Sequence, residues 1–557
     1  MSAPNPTTPP LLPFLLLGLR YYRRPRAWGG ALVLVALTLA MVGLALWTNH
    51  WQRALFDALE RRDLVELPAL IATFLTILLL SVAVTGVHLL VKRGWQLGWR
   101  RFLTEQLLES WLARGHHHRL RHLPGAHDNP DARIAEDVRI ATEVAVELFH
   151  SLLYSLASIV LFVDVLWVVG ATPHESPPGT MVWLALAYAG IGTITGVLLG
   201  RPLTRATDQQ QSREADFRYG LSHIRDKSEA IALAQGEASE RRLTRERFDA
   251  LARTWWKQSL GYLGLVSFST AYGTLLPVFP ILVLAPHYIA GTLTLGMLMQ
   301  AAQAFERLTN ALSWPIHSMG DIARCHASIE RAAALYQDLT ELEAIERLCL
   351  PGQICRSVGP AGQLAIERLT LTLPNGHPVL ENFSLTLTRG ETVQLVGDPN
   401  TGIALLKAIA GVWSWGQGNI ILPDGETLAF VPQRPFLPEG PLIAALTYPR
   451  DPAEVERKRV IDTLHAVGAD ALIERLDEHD DWNRTLTAPV QQRLALARTL
   501  LERPAWVFYE APADALPAPG KFDPVALLRE RLPDATLAIF WPHHQPYPGV
   551  QRVVFLN

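Results

Sequence analysis

The sequence predicts a two-part fold, an all-α membrane region of six spans followed by an α/β domain of the phosphate-binding-loop type. Long uncharged apolar stretches occur throughout the first 335 residues, whereas short strand patterns take over from about residue 362. Residues 397–404 read GDPNTGIA between a strand pattern and a helix pattern, and they keep the two glycines of a phosphate loop. A chain of 557 residues is also too long for a single soluble core.

Composition indicates a membrane protein and excludes a nucleic-acid partner. Hydrophobic residues make up 49% of the chain and charged residues 18%, with a net charge of −3. Nucleic-acid binding would require a basic balance, so none is predicted. The apolar residues 11–17 precede the basic cluster at 20–26, which is the reverse of a signal peptide. We therefore interpret residues 1–27 as an N-terminal tail and an elbow helix.

Six stretches are candidates for crossing the bilayer. The first has 21 residues without a charge, and a span needs about 20. The sixth is more polar than the others. The candidates are residues 28–48, 68–91, 151–170, 180–200, 260–289 and 295–316.

The distribution of Lys and Arg predicts the orientation. Segments 92–146 and 201–258 carry nine and twelve of these residues, and the links 171–179 and 290–294 carry none. The basic segments belong in the cytoplasm by the positive-inside rule, which places both termini there. We therefore expect a multi-pass membrane protein with cytoplasmic termini. The predicted domains are a transmembrane domain at 28–335, a linker at 336–361 and a nucleotide-binding domain at 362–557.

Two acidic residues within the spans are transport candidates. Asp164 lies in the third span, where a buried charge costs at least about 2.5 kcal/mol. The sequence leaves three interpretations of Asp164 open. It is a structural acid that hydrogen-bonds between helices, or a group that couples protons or binds substrate, or a residue that lies closer to the membrane surface than its position in the span indicates. Glu306 stands beside Arg307 in the sixth span, which favours a local ion pair near a cavity. We expect Glu147 and His150, at the mouth of the third span, to be interfacial.

The phosphate loop has lost the residues that carry its chemistry. A complete loop ends in a Lys that reaches the phosphates and a hydroxyl residue that binds Mg²⁺. Those two positions hold Ile403 and Ala404, and Lys407 lies one helical turn too far along. The cofactor site predicted from this region is vestigial, and it comprises Gly397, Asn400, Thr401, Gly402, Ile403, Ala404, Gln433 and Glu510.

Other motifs of the domain are altered as well. Glu510 takes the place of the Mg²⁺-associated Asp, and Ala511 stands where the water-polarising Glu belongs. The signature motif reads LTAPV at 486–490, and Pro489 has no amide to donate. Pro517 replaces the D-loop Asp, and either His543 or His544 could be the switch His. The sequence thus predicts no catalytic residue and no metal site, and it favours the absence of enzymatic activity. It identifies no certain cofactor, although the glycine loop leaves weak ATP binding open.

Several stretches resemble the SbmA/BacA peptide-uptake transporters, specifically relatives with a fused ABC domain. The matching stretches are DNPDARIAEDVR (128–139), the segments 214–237 and 277–305, and, in the nucleotide domain, GVWSWGQGNI (411–420) and VPQRPFLPEGPL (431–442). The nucleotide domain is also similar to that of peroxisomal ABC half-transporters. The resemblance implies an ABC exporter-type permease of the bacterial inner membrane, a homodimer with a hydrophilic cavity, and uptake of peptides or other bulky hydrophilic solutes.

Three functional hypotheses follow. The first is a proton-coupled or facilitative importer with a degenerate nucleotide domain. The second is an ATP-driven ABC transporter with unconventional nucleotide sites. The third is a regulatory membrane protein that transports nothing.

Overall fold

The computed structural model describes residues 11–122, 129–169, 179–348, 352–511, 522–541, 543 and 545–556. It forms two compact units, Met1–Leu107 with Asn129–Tyr336, and Leu108–Asp128 with Gln337–Asn557. The predicted Pro517 and His544 lie outside the described residues.

The described part of the chain before residue 349 consists of helices joined by turns and short non-helical links. Its helices are α1 (Leu11–Arg20), α2 (Pro25–Arg61), α3 (Leu67–Leu112), α4 (His116–Arg119), α5 (Pro130–Ala132), α6 (Val138–Val169), α7 (Thr180–Asp226), α8 (Ser228–Leu233), α9 (Glu237–Leu275), α10 (Phe279–Ile289), α11 (Leu295–Leu312), α12 (Trp314–His317) and α13 (Met319–Leu348).

Within the described residues, five helical stretches are long and apolar enough to cross a membrane. They are Pro25–Arg61, Leu67–Arg119, Pro130–Val168, Thr180–Asp226 and Glu237–Ile289. Each exceeds the roughly 20 residues that a span requires, so these helices extend past the hydrocarbon. The chain is therefore a membrane protein with several apolar helices.

The predicted sixth span is a helix, α11, but it is not among those five stretches. It packs against α2, α6, α7 and α10, and ten of its eighteen residues are buried. Asn49 of α2 donates hydrogen bonds to the Gln300 carbonyl at 3.1 Å and to the Gln303 side chain at 2.9 Å. A helix surrounded by other helices can carry such polar groups because its neighbours satisfy their hydrogen bonds.

The second unit is an α/β domain. Its elements are β1 (Ile354–Gly359), β2 (Gln363–Thr372), β3 (Pro378–Thr388), β4 (Thr392–Val396), α14 (Pro399–Ala410), β5 (Gly416–Pro423), β6 (Leu428–Val431), β7 (Gly440–Pro441), α15 (Leu442–Thr447), α16 (Arg457–Ala466), β8 (His479–Asp480), α17 (Trp482–Thr485), α18 (Ala488–Glu502), β9 (Trp506–Glu510), α19 (Pro524–Arg531), β10 (Thr536–Phe540) and β11 (Arg552–Phe555).

A five-stranded sheet forms the centre of this domain, with every neighbouring pair parallel. Its strand order is β11-β4-β10-β9-β6. Strands β4 and β10 are buried along their whole length, as expected for strands covered on both faces. The carboxyl ends of parallel strands meet at one edge, which is where such sheets place their ligand sites. That edge collects the residues after β4, β9 and β10.

A second, four-stranded sheet has the order β1-β5-β2-β3 and contains antiparallel pairs. Its first strand begins at Ile354, inside the stretch predicted as a linker. Strand β1 pairs in parallel with β5, whose partner residues start at Gly418. That pairing connects residues distant in sequence, so the local pattern around residue 354 does not reveal it.

Candidate functional site, a remodelled phosphate loop

The loop after β4 runs directly into α14, and its first glycine is required by packing. A Cβ at position 397 would lie 2.8 Å from the Cβ of Leu556, closer than such atoms approach. At the second glycine, position 402, a Cβ would lie 3.3 Å from a ring carbon of Phe540. The first glycine therefore has a structural role in this chain, whether or not a phosphate ever binds, and a side chain at the second would only be a tight contact.

The helix begins within the loop. Asp398 is the N-cap of α14, and its carboxylate accepts a hydrogen bond from the Asn400 amide at 2.8 Å. The Gly402 amide donates to the Asp398 carbonyl at 3.0 Å, which is an ordinary helical bond. In a working phosphate loop, amides between the two glycines point at the phosphate. Here the Asn400 amide, between the two glycines, is engaged by a carboxylate, and the amide of the second glycine, Gly402, is engaged by the helix.

The electrostatics of the loop follow from this cap. A helix N-terminus attracts anions through its dipole and its unpaired amides. Asp398 supplies that anion from within the chain, next to the place where a phosphate would lie. No cation compensates at position 403, because Ile403 is half-buried and apolar, and Ala404 is 1% exposed.

Lys407 does not point back to the loop. Its Nζ lies 5.8 Å from the centre of the Trp413 ring, in cation–π range on the far side of the helical turn. Thr401 donates its hydroxyl hydrogen bond to the Val379 carbonyl at 3.2 Å. These two contacts anchor α14 to its own domain.

Glu510 and Gln433 meet beside the loop. The carboxylate of Glu510, at the end of β9, accepts a hydrogen bond from the Gln433 amide at 3.3 Å. The Gln433 side chain donates to the Ala511 carbonyl at 3.4 Å, and Gln492 donates to the Gln433 carbonyl at 3.1 Å. Gly397, Gly402, Ile403, Gln433 and Glu510 thus surround one small cavity at this edge of the sheet, and Asn400, Thr401 and Ala404 do not line it.

Burial raises the pKa of Glu510 above its usual range, and the Gln433 amide and the charge of Lys407 oppose that rise. A cavity of about 50 Å³ lies in front of it, with room for a few water molecules. Its lining is mainly apolar and comprises Leu395, Gly397, Asp398, Pro399, Gly402, Ile403, Gln433, Glu510, Ala511, Phe540, Trp541 and Leu556.

The altered signature segment begins α18. Thr487 is its N-cap without a side-chain hydrogen bond, and Pro489 lies in its first turn. The Gln491 side chain donates to the carbonyls of Asn483 and Leu486, both at 2.8 Å. Pro489 cannot donate to any ligand, so the start of this helix offers one amide fewer than a Gly would.

The two acidic transport candidates lie in the membrane unit. Asp164 is exposed on α6. Glu306 is partly buried on α11, and its neighbour Arg307 is exposed. The structure places them on different helices.

One polar cluster escaped the sequence reasoning. Thr38, His88 and His150 come together from α2, α3 and α6, with His88 4% exposed and Thr38 fully buried. His150 is half-buried and contacts both other side chains, and its interfacial position stays a prediction. The one signal in the sequence was His88, a lone polar residue in an apolar stretch. Across the described residues, no group of three His, Cys, Asp or Glu side chains could hold a metal ion.

Comparison with known proteins gives the same two-part picture. Residues 23–278 match the family ABC transporter transmembrane region 2. The inner membrane ABC transporter ATP-binding protein YddA of Escherichia coli is 28% identical over 526 residues, which cover 92% of this chain and 91% of that protein.

Two eukaryotic proteins are also similar. The ABC transporter D family member 2 of Arabidopsis thaliana, a chloroplastic protein, is 25% identical over 86% of this chain and 76% of its own length. The lysosomal cobalamin transporter ABCD4 of Mus musculus is 24% identical over 88% of this chain and 86% of its own length. The chain is therefore similar, over most of its length, to membrane transporters of the ABC class.

Proposed function

We propose that this chain, whose membrane half matches ABC transporter transmembrane region 2, is a bacterial inner-membrane transporter that does not hydrolyse ATP itself. It takes up peptides or other bulky hydrophilic solutes as a homodimer, and an ion gradient or the solute's own gradient supplies the free energy. The similarity to YddA, an inner membrane protein by name, supports the location.

The observation that carries the proposal is the Asp398 carboxylate bound to the amide of Asn400 at the start of α14. A triphosphate would have to displace or approach this carboxylate with no lysine nearby to offset the repulsion. In phosphoryl transfer the protein contributes mainly positioning and charge stabilisation, and losing one such group costs about 10²–10³ in rate. Here the Lys, the Mg²⁺ hydroxyl and the water-polarising Glu are all absent.

An ATP-driven ABC transporter is the second candidate, and the comparisons favour it over proton coupling. YddA is described as an ATP-binding protein, and it aligns with nearly the whole of this chain. The retained glycines, Gln433 and Glu510 also meet at the sheet edge where a nucleotide would bind. In this candidate Glu510 would hold the Mg²⁺.

Uptake by the purified full chain in liposomes separates the two. Fluorescent peptides are added outside the liposomes, and their accumulation inside is measured under two conditions. In one, ATP and Mg²⁺ are supplied on either side of the membrane, and in the other a pH gradient is imposed. We expect accumulation that depends on the pH gradient or on peptide concentration and is unchanged by ATP.

The Glu510→Ala variant is the matched control. It should transport like the wild type if ATP hydrolysis has no role. Accumulation that requires ATP and Mg²⁺, and that is lost in Glu510→Ala, would establish the second candidate instead. Liposomes that accumulate no peptide under any condition would reject this substrate class.

A further inference from the structure

The polar cluster of Thr38, His88 and His150 lies within the helical membrane unit. His88 Nε2 is 3.1 Å from His150 Nδ1, and Thr38 Oγ1 is 3.0 Å from the same His150 nitrogen. The two imidazole rings are 4.2 Å apart between centres, with their planes inclined by 48°. Three helices thus share one hydrogen-bonded cluster.

Counting hydrogens restricts the state of this cluster. Thr38 has one hydroxyl hydrogen, and its oxygen lies 2.8 Å from the Leu34 carbonyl, which can only accept. With that hydrogen given to Leu34, the Thr38 oxygen accepts from the Nδ1–H of His150. His88 Nε2 then faces the same N–H with its lone pair, because two N–H groups cannot point at each other. The neutral pair therefore holds one hydrogen between its facing nitrogens.

An ion pair lies one helical turn from each histidine. Lys92, four residues after His88, is 2.7 Å from the carboxylate of Glu147, three residues before His150. Lys92 and Glu147 are the charged groups that act on the two histidines, and Tyr154 is the other titratable neighbour, with its ring 6.4 Å from that of His150. The side chain of Glu147 is 46% exposed, whereas that of Lys92 is 15% exposed.

Packing alone does not explain this choice of residues. Ionisable side chains inside a membrane region are costly, and they are found mainly along ion and proton pathways. Imidazole is the side chain that gains and loses a proton near neutral pH. A structural contact between three helices could be made with neutral amides, as the contact of Asn49 with Gln300 and Gln303 shows.

We propose that His88 and His150, linked through the 3.1 Å contact and oriented by Thr38, form a proton-binding site of the membrane region. The pair accepts one proton and not two, because two adjacent imidazolium rings beside Lys92 would repel each other. That this proton drives uptake rests on the proposed function, whereas the binding of a proton does not.

The transfer can be written with every proton accounted for. A proton enters at the outer nitrogen of His150, Nε2, and makes that ring cationic. The hydrogen on Nδ1 of His150 then passes to Nε2 of His88, and the positive charge moves with it. His88 releases the hydrogen from its own outer nitrogen, Nδ1. Both rings end neutral with their tautomers exchanged, so the relay must be reset by a second rearrangement. In a transporter, that reset belongs to the return step.

The test of proton binding is nitrogen-15 NMR of the full chain in lipid nanodiscs, with labelled histidine. We compare the wild type with His88→Gln, His150→Gln and, as a matched control, His50→Gln. His50 is an exposed histidine of α2, bonded to the Leu46 carbonyl of its own helix. Between about pH 5 and about pH 8, we expect one added proton shared by two coupled ring signals. Removing either histidine should shift the signals of the other, and His50→Gln should leave both unchanged.

Two outcomes would overturn the proposal. One is a pair whose signals stay fixed over this range, which would make it a structural contact only. The other is two histidines that titrate independently, each with its own full proton.

A transport measurement separates this inference from the proposed function. If the pair titrates as expected and liposomes driven by a pH gradient accumulate peptide, His150→Gln should abolish the gradient dependence and His50→Gln should not. If the pair titrates but neither the wild type nor any variant transports peptide, the proton-binding site is confirmed and the proposed function is wrong. If uptake follows the pH gradient unchanged in both His88→Gln and His150→Gln, the cluster has no part in coupling, and this inference is overturned for transport.

Discussion

At the scale of single residues, Glu510 is a carboxylate whose burial is only partly offset by the Gln433 amide and the charge of Lys407. Its pKa is raised by burial. In the pH range between the usual pKa of a glutamate and the raised pKa of Glu510, the folded chain binds more protons than the unfolded chain. Stability therefore falls as the pH rises through that range, and the penalty remains at neutral pH.

We expect the Glu510→Gln variant to melt at a higher temperature than the wild type at neutral pH. The glutamine keeps an oxygen for the Gln433 amide and removes the buried charge. Below about pH 4 the wild-type carboxyl is protonated in both states, so the difference should disappear. Thermal unfolding of the detergent-solubilised full chain, followed across pH, provides the measurement. A variant that melts lower than the wild type at neutral pH would contradict the expected direction of this effect.

Asp398 is the second residue with a specific prediction. Replacing an N-cap side chain with Ala costs about 0.5–2 kcal/mol, because an amide at the helix start loses its partner. We expect Asp398→Ala to lower the melting temperature of the nucleotide-like domain. Asp398→Asn should retain the wild-type value, because Asn caps a helix as well as Asp does. Equal melting of all three proteins would show that this cap contributes nothing to stability.

The sequence predicted only some of the features of single residues. The loss of the Lys and hydroxyl positions could be read directly from Ile403 and Ala404. Asp398 followed by Pro399 is also a helix-start signal, but alignment of the loop with a phosphate-binding motif concealed it. The contact of His88 with His150 joins residues 62 positions apart on different helices, and a single sequence does not show which faces of two helices meet.

At the scale of elements, α11 shows how an internal helix is held in place. The first amides of α11 have partners on α2, since Leu295 N–H donates to Glu60 and Gly296 N–H donates to Asp57, both at 2.9 Å. Thr294 caps the helix from its own side. A Cβ at position 296 would overlap the Arg53 carbonyl and the Asp57 carboxylate.

We therefore expect Gly296→Ala to separate the start of α11 from α2 and to destabilise the membrane unit. Overpacking of this kind costs about 1–3 kcal/mol. The measurement is the temperature at which the detergent-solubilised protein loses its monodisperse size-exclusion peak.

Gly273→Ala is the matched control, because Gly273 lies within α9 and a Cβ there meets nothing within 4 Å. It should leave the melting temperature near that of the wild type. If both variants behave alike, close approach at position 296 is not what fixes α11.

The same helix explains why six spans could not be established from hydropathy. Hydropathy recognises helices that face lipid, and α11 is enclosed by other helices instead. The stretch predicted as one span at 260–289 likewise contains the end of α9 at Leu275 and the start of α10 at Phe279. Pro280 occupies the first turn of α10, where its missing amide is tolerated. The periodicity of the sequence predicted helices here. It does not show where a helix is interrupted, because the interruptions depend on the local backbone conformation.

At the scale of the whole molecule, the change from a helical region to an α/β domain was visible in the sequence, and the strand order of the parallel sheet was not. Strand β10 lies between β4 and β9, so the phosphate loop and Glu510 are carried by strands that are not neighbours. Which strands pair is set by contacts across the sheet, since buried parallel strands share the same continuous apolar pattern. The sequence assigned Gln433 and Glu510 to one nucleotide site, and their direct contact, at 3.3 Å, is known from the structure.

A nucleotide site of the ABC type would be composite, with one chain's phosphate loop facing the signature segment of the opposing chain. Restoring one side is therefore insufficient. We expect the triple variant Ile403→Lys, Ala404→Thr and Ala511→Glu to bind ATP with Mg²⁺ more tightly than the wild type, yet to show no turnover. In the proposed homodimer, Pro489 of the opposing chain would still offer no amide to the γ-phosphate.

Adding Thr487→Ser and Pro489→Gly to that triple variant restores both sides of the site at once. We expect measurable ATP hydrolysis only in this combined variant, since each missing donor costs about 10²–10³ in rate and these losses act together on one transition state. Nucleotide affinity and phosphate release, measured on the full chain in liposomes, distinguish the steps. Turnover in the triple variant alone would show that the signature segment is dispensable. Magnesium-dependent turnover in the wild type would mean that the chain completes its site by other residues, and ATP would then be its source of energy.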